Sequence, residues 1–170
     1  FFISPLSDGY NIGELLVKTA PMLLCAIGLA LCYQANLWNI GAEGQLLVGA
    51  VVGSAVSLHF ADNSLSVWFA LIAGVLAGMA WSGIAIALRQ WFNSNIILST
   101  IMLNYIALYA LQWAVHGPLK DPEGMGFPES AMFTDSQLLP ILIENTRVHL
   151  GVLFALLAAV LCWVLLRFTW

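Results

Sequence analysis

The sequence predicts an all-α, multi-pass transmembrane helical bundle in which one helix is short or broken. Of the 170 residues, 61% are hydrophobic and only 8% are charged. Five basic and nine acidic side chains are too few to cover a water-soluble globule of this size. The apolar residues also fall into runs, most of which reach the roughly 20 residues that cross a bilayer core about 30 Å thick.

Five apolar runs are separated by polar or helix-breaking residues. They cover residues 13–33, 45–60, 64–89, 96–116 and 148–168, within a single membrane domain of residues 1–170. The second run is short, because a helix over 45–60 rises only about 24 Å. Either that helix begins earlier, or the segment 39–44 before it is a re-entrant or broken stretch of backbone at membrane depth.

The polar segment "NIGAEGQ", Asn39 to Gln45, carries the features of such a break. Gly41 and Gly44 allow the positive φ that a helix break can require. Asn39 can cap a helix start, and the carboxylate of Glu43 is stabilised near the positive end of the helix that follows. Irregular backbone is tolerated in a bilayer only where it is buried in protein or lines a water-filled cavity. The alternative is an aqueous turn with Glu43 in solvent, and the spacing leaves both open.

A second group of polar residues lies inside the run 96–116. Thr100 and Asn104 are one helical turn apart and share a face. An amide within a span needs a partner, which is either another helix or a water-lined path. Thr100 can instead bond back to the preceding turn. Together with Asn39, Glu43 and Gln45, these two residues are the predicted substrate path or gate.

Small residues recur at four-residue spacing in two neighbouring runs. Gly49 and Gly53 lie in one run, and Gly74 and Gly78 lie in the next. Rows of this kind let helix backbones approach closely. We therefore expect these two helices to pack on each other or on a partner subunit.

The segment 117–147 is the longest polar stretch and contains four prolines and five acidic residues. Loops of this length are usually functional or disordered. Lys and Arg do not orient the chain in the membrane, because Arg89 and Arg167 fall on one side while Lys120 and Arg147 fall on the other.

Several function classes lack support in the sequence. A net charge of −4 offers no basic patch for nucleic acid. The three cysteines lie in apolar runs without the spacing of a metal site or redox pair, and no catalytic motif is present. We expect no cofactor, no metal and no enzymatic activity.

Two motifs carry a family resemblance. "LWNIGAEGQLLVGA", Leu37 to Ala50, is followed by "ILSTIMLNYIALY", Ile97 to Tyr109. This pairing resembles the permease subunits of bacterial ATP-driven importers, in the branch that includes branched-chain amino acid, ribose and nucleoside permeases, and it is most similar to the nucleoside and simple-sugar permeases. Such permeases usually read Asn-Glu-Val before the second motif, whereas this chain reads Asn95-Ile96-Ile97.

The resemblance implies a multi-pass subunit of the bacterial cytoplasmic (inner) membrane that forms part of the path for a nucleoside or simple sugar by alternating access. It implies three protein partners besides membrane lipid: a cytoplasmic ATP-binding subunit, a second permease subunit in a homo- or heterodimer, and an extracytoplasmic solute-binding protein that faces the loop 117–147. It also implies a fragment, with the coupling loop after Trp170. The alternative is an ATP-independent channel or ion-coupled carrier, which would need a buried ionisable residue in its spans.

Overall fold

The computed structural model of the chain describes residues 8–61, 63, 65–124, 126–143 and 146–169. Within these residues the chain forms five α-helices and one 3-10 helix, and its extended pairing is limited to two isolated bridges. The helices are α1 (Gly9–Gln34), α2 (Ala42–His59), α3 (Ser66–Phe92), α4 (Ile96–His116) and α5 (Leu150–Thr169), with the 3-10 helix Asp135–Gln137 between α4 and α5. The predicted all-α fold class is confirmed.

Four of the described helices, α1, α3, α4 and α5, are long and apolar enough to cross a membrane. Large apolar side chains face outward along them, and small residues fill much of the interior. Leu76 and Leu161 are 59% and 63% exposed, whereas Ala107 and Ala155 are each 1% exposed. This distribution suits a bilayer, where lipid solvates large apolar side chains and small residues let helices approach.

The described chain forms two compact units, and the first contains α1 and α5. Its buried core consists of Ala20, Val148, Val152 and Ala155. A Cβ atom on Gly13 would lie 3.2 Å from the Val148 side chain, so the start of α1 packs beside the start of α5. The two helices therefore run parallel within this unit.

The second unit contains α2, α3 and α4. A three-residue turn joins α3 to α4, and asparagines fix both helix ends. Asn93 ends α3 in the left-handed conformation (φ 51°), and its N–H donates to the Leu88 carbonyl. The Asn95 side chain begins α4 by accepting a hydrogen bond of 2.9 Å from the Ile97 N–H.

Glycines bring α2 and α3 into backbone contact. A Cβ atom on Gly49 would lie 2.9 Å from the Gly74 carbonyl oxygen, and one on Gly74 would lie 2.9 Å from the Gly49 carbonyl oxygen. Gly53 approaches the Ala70 carbonyl and Gly78 approaches the Gln45 carbonyl in the same way. Because the paired numbers rise on one helix as they fall on the other, α2 and α3 are antiparallel.

The start of α2 differs from the expected break over 39–44. The helix begins at Ala42, where Gln45 N–H already donates to the Gly41 carbonyl, so Gly44 lies in the first helical turn. The expectation of positive φ at the glycines is wrong. Gly41 has φ −90°, and the left-handed residue in this connection is Asn36 with φ 55°. The predicted start of the next span, Ser64, lies outside the described residues.

The glycine contact predicts a difference between two substitutions on α3. We expect Gly74→Ala to lower the free energy of unfolding of the full-length permease by about 1–3 kcal/mol, because its methyl group would press on the Gly49 carbonyl. Gly83→Ala is the matched control, since nothing lies within 4 Å of that position. It should be neutral or raise stability by up to about 1 kcal/mol. Unfolding of the purified proteins in detergent measures both, and equal losses would contradict the packing.

Candidate functional site

The first turn of α2 lies beside the middle of α3. Gly78, which contacts the Gln45 carbonyl, is 12 residues after the first residue of α3 and 14 before its last. At 1.5 Å per residue, α3 continues for about 18 Å on one side of this contact and about 21 Å on the other. The first turn of α2 therefore lies about midway along α3, a helix that is long and apolar enough to cross a membrane.

Helix α4 places the same segment at a similar depth. Asn104, which contacts Gly44, is 8 residues after Ile96 and 12 before His116. These separations correspond to about 12 Å and about 18 Å along the helix. The side chains of Asn39, Thr100 and Asn104 therefore meet around the segment before α2, although the two motifs are about 60 residues apart in sequence.

Asn104 binds the segment through both ends of its amide. Its Oδ1 atom accepts a hydrogen bond of 2.9 Å from the Gly44 N–H, and its Nδ2 group donates to the Ile40 carbonyl at 3.0 Å. One group is a free N–H of a helix start and the other is a carbonyl outside any helix. Both would otherwise lack a partner within the bilayer, where water cannot supply one. The helix-to-helix alternative for Asn104 is thus the one that the geometry supports.

Thr100 binds the same segment one turn earlier on α4. Its hydroxyl accepts a hydrogen bond of 3.3 Å from the Ile40 N–H and donates to the Ile97 carbonyl at 3.0 Å. The side chain is 2% exposed. Thr100 therefore makes the expected bond to the preceding turn and also binds the segment before α2. Together, Thr100 and Asn104 supply hydrogen-bond partners for both backbone groups of Ile40.

Asn39 organises the break locally. Its Oδ1 atom accepts a hydrogen bond of 2.7 Å from the Gly41 N–H, two residues on. Gly41 is buried against α4, since a Cβ atom there would lie 3.0 Å from the Thr100 Cβ atom. A Cβ atom on Gly44 would lie 2.7 Å from the Asn104 Oδ1 atom. Both glycines are thus needed for close approach to α4 rather than for an unusual φ.

The remaining two predicted residues stand apart from this network. Glu43 is exposed in the first turn of α2, and Gln45, two residues on and therefore on the opposite face, is half-buried. Neither side chain makes a hydrogen bond or ion pair with the described residues. The structure therefore separates the five predicted residues into three that hold the break and two whose polar groups are available.

Sequence reasoning missed two further polar groups in this unit. The Nε1 atom of Trp81, one turn beyond Gly78 toward the start of α2, is buried without a hydrogen-bond partner in the described chain. A buried indole N–H normally has an acceptor, and the described chain supplies none for this one. Gln137, in the long loop, binds the other end of α2. Neither residue could be identified as important from the sequence, because tryptophan and loop glutamine are common in membrane proteins.

An apolar cavity of about 440 Å³ lies toward the opposite end of α2. The end of α2, the end of α4 and the first residues of the following loop enclose it. Its walls include Val52, Val56, Phe60, Trp113 and Leu119. The lining also includes His59, its one titratable residue, and is otherwise apolar.

The hydrogen bonds at the break predict a change in amide exchange. We expect Asn104→Leu in the full-length permease to speed hydrogen exchange at Ile40 to Gln45 by about tenfold or more, because the Gly44 N–H and the Ile40 carbonyl each lose a hydrogen bond worth about 0.5–1.5 kcal/mol. Gln112→Leu is the control on the same helix, because its exposed side chain makes no hydrogen bond in the described chain. Mass spectrometry of peptides over this segment gives the rates, and equal rates in the two variants would refute the contact.

Comparison with known proteins places the chain in a family. The model of the family "Branched-chain amino acid transport system / permease component" matches residues 11–170. No solved structure matches the chain.

Three curated relatives are similar over most of the chain. The glucose ABC transporter permease protein TsgB13 of Haloferax volcanii is 31% identical over 99% of this chain and 47% of the relative. The guanosine ABC transporter permease protein NupP of Bacillus subtilis is 33% identical over 93% of this chain and 46% of the relative. The nucleoside ABC transporter permease protein NupB of Lactococcus lactis is 28% identical over 94% of this chain and 46% of the relative. The chain spans about half the length of these relatives. It belongs to the branched-chain amino acid transport system permease family and is a multi-pass protein of the cytoplasmic membrane.

Proposed function

We propose that this chain forms part of the translocation path of an ATP-driven importer for a small polar solute, either a nucleoside or a simple sugar. The observation that carries the proposal is the non-helical segment before α2, whose backbone groups, with the Gly44 N–H, are bound by Thr100 and Asn104 of α4. A broken helix presents polar groups in the bilayer without exposing unpaired backbone to lipid. Transporters use such breaks to form solute sites near the midplane.

The five polar residues have two roles in this proposal. Asn39, Thr100 and Asn104 hold the break in place and act as the gate. Glu43 and Gln45 form hydrogen bonds with the hydroxyl groups of the solute, because their own polar groups are unused by the described chain. A carboxylate and an amide suit a sugar or a ribose, since both accept hydrogen bonds from hydroxyls.

The proposed solute class and the proposed partners are supported by similarity to the relatives, and the geometry of the site does not specify them. The relatives' names specify glucose, guanosine and nucleosides. An importer of this kind requires a cytoplasmic ATP-binding subunit, a second permease subunit and an extracytoplasmic solute-binding protein. ATP hydrolysis on the separate subunit would then bias two packings of the helices, which open the passage to each side in turn.

An ATP-independent channel or ion-coupled carrier is the competing function. Such a carrier needs an ionisable residue buried within its spans to bind the coupling ion. The buried polar residues of the described chain are Ser57, Ser66, Thr100 and Gln137, none of which is ionisable. This observation favours the ATP-driven function.

Uptake by the full-length permease with its partners tests the proposal. We expect Glu43→Leu and Gln45→Leu each to lower the uptake of radiolabelled guanosine or glucose by about tenfold, the effect of losing one hydrogen bond to the solute. Gln90→Leu is the control, because this exposed glutamine lies near the end of α3 and away from the break. Unchanged uptake in both variants would remove these residues from the path.

The same assay separates the two functions. Inactivating ATP hydrolysis in the ATP-binding subunit should abolish uptake by the unmodified permease. Uptake that continues in its absence would favour the channel or carrier instead.

A further inference from the structure

The C-terminal end of α2 is bound by a residue of the long loop. Gln137 is 7% exposed, and its Nε2 group donates a hydrogen bond of 2.6 Å to the Ser57 carbonyl. Ser57 is two residues from the end of α2, where carbonyl groups have no partner within the helix. The amide of Gln137 therefore supplies the bond that the end of α2 lacks.

The loop residues around Gln137 are themselves held in place. The Gln137 Oε1 atom accepts hydrogen bonds from the Thr134 N–H at 2.7 Å and from the Thr134 hydroxyl at 3.1 Å, which forms a capping box around the 3-10 helix. The Ser136 hydroxyl donates to the Ala61 carbonyl, and the Ser66 hydroxyl donates to the Ser136 carbonyl. Two hydrogen bonds besides that of Gln137 therefore fix residues 134–137 to the junction between α2 and α3.

Helix α2 is therefore anchored at both ends by side-chain amides. Asn104 binds its first turn and Gln137 binds its last, and the 13 residues from Gly44 to Ser57 separate the two anchors by about 20 Å. Between them, α2 contacts α3 through the backbone at Gly49 and Gly74 rather than through interlocked large side chains. A helix of this length moves as a rigid body, so that a displacement at one anchor reaches the other.

We propose that Gln137 is a positioning residue that couples the long loop to the broken start of α2. A movement of residues 134–137, such as that caused by a protein bound to the loop, would be transmitted through the Ser57 carbonyl and along α2 to the bonds at Ile40 and Gly44. The role of this coupling in transport rests on the proposed function, because the start of α2 is the proposed gate. The coupling itself is a property of the unit formed by α2, α3 and α4.

Two substitutions in the full-length permease separate this role from simple stabilisation of the loop. Gln137→Glu keeps the acceptor for both Thr134 bonds, but it replaces the donor at Ser57 with a carboxylate oxygen that repels the carbonyl. Thr134→Ala removes only the hydroxyl from the capping box and leaves the Gln137 bond to Ser57 in place. The first variant therefore breaks the link to α2, and the second perturbs the loop alone.

Hydrogen exchange at Ile40 to Gln45 is the primary measurement. We expect Gln137→Glu to speed exchange in this distant segment by about threefold or more, whereas Thr134→Ala should leave it within about twofold of the unmodified protein. Uptake of radiolabelled guanosine and glucose is the second measurement, normalised to the amount of permease in the membrane. Gln137→Glu should lower the maximal rate by about tenfold with little change in the half-saturating concentration, and Thr134→Ala should lower neither.

The coupling is overturned if Gln137→Glu changes exchange only at the loop and the end of α2, or if Thr134→Ala has the same effect as Gln137→Glu at Ile40 to Gln45. If the unmodified permease takes up neither guanosine nor glucose, the proposed solute class fails, and the exchange measurement still decides the coupling. If uptake is normal in Gln137→Glu while distant exchange rises, the coupling stands and its proposed role in transport is refuted.

Discussion

The structure of α2, α3 and α4 depends on one constraint: backbone groups inside a bilayer need hydrogen-bond partners from the protein. The segment before α2 leaves the N–H and carbonyl of Ile40 outside any helical ladder, beside the N-terminal half of α4. Thr100 and Asn104 supply the missing partners from a neighbouring helix. A leucine at either position would leave these groups unsatisfied, and a helix break could then persist only with water beside it.

Close approach follows from the same constraint. Asn104 has a short side chain, so its amide reaches Ile40 and Gly44 only if the two backbones nearly touch. Gly41 and Gly44 permit this distance, because a methyl group on either would overlap α4. The glycines between α2 and α3 extend close packing along the helix. Glycines thus allow α2 to lie close to α3 and α4. The side-chain amides of Asn104 and Gln137 bind its first and last turns.

Hydropathy and helix length were enough to predict the all-α fold and the short second helix, since bilayer thickness restricts both. The sequence also predicted that Asn39, Thr100 and Asn104 matter, because polar residues in a span need partners. It did not predict that Thr100 and Asn104 both bind Ile40, an apolar residue whose backbone alone takes part. Nor did it predict that Gly44 belongs to the helix, because a glycine needed for close approach and one needed for positive φ are identical in sequence. Gln137 was missed because its partner is a carbonyl 80 residues away.

Water access at the start of α2 is the sharpest test of the proposed passage. Glu43→Cys would be introduced into a full-length permease whose native cysteines Cys25, Cys32 and Cys162 are replaced by serine, and labelled with a membrane-impermeant thiol reagent. Leu76→Cys, near the middle of α3 and 59% exposed, is the lipid-facing reference. If the break lines a wet passage, Glu43→Cys reacts much faster than Leu76→Cys, and guanosine or glucose slows it. Equal reaction rates at the two positions, with no effect of either solute, would show that the start of α2 does not line a wet passage.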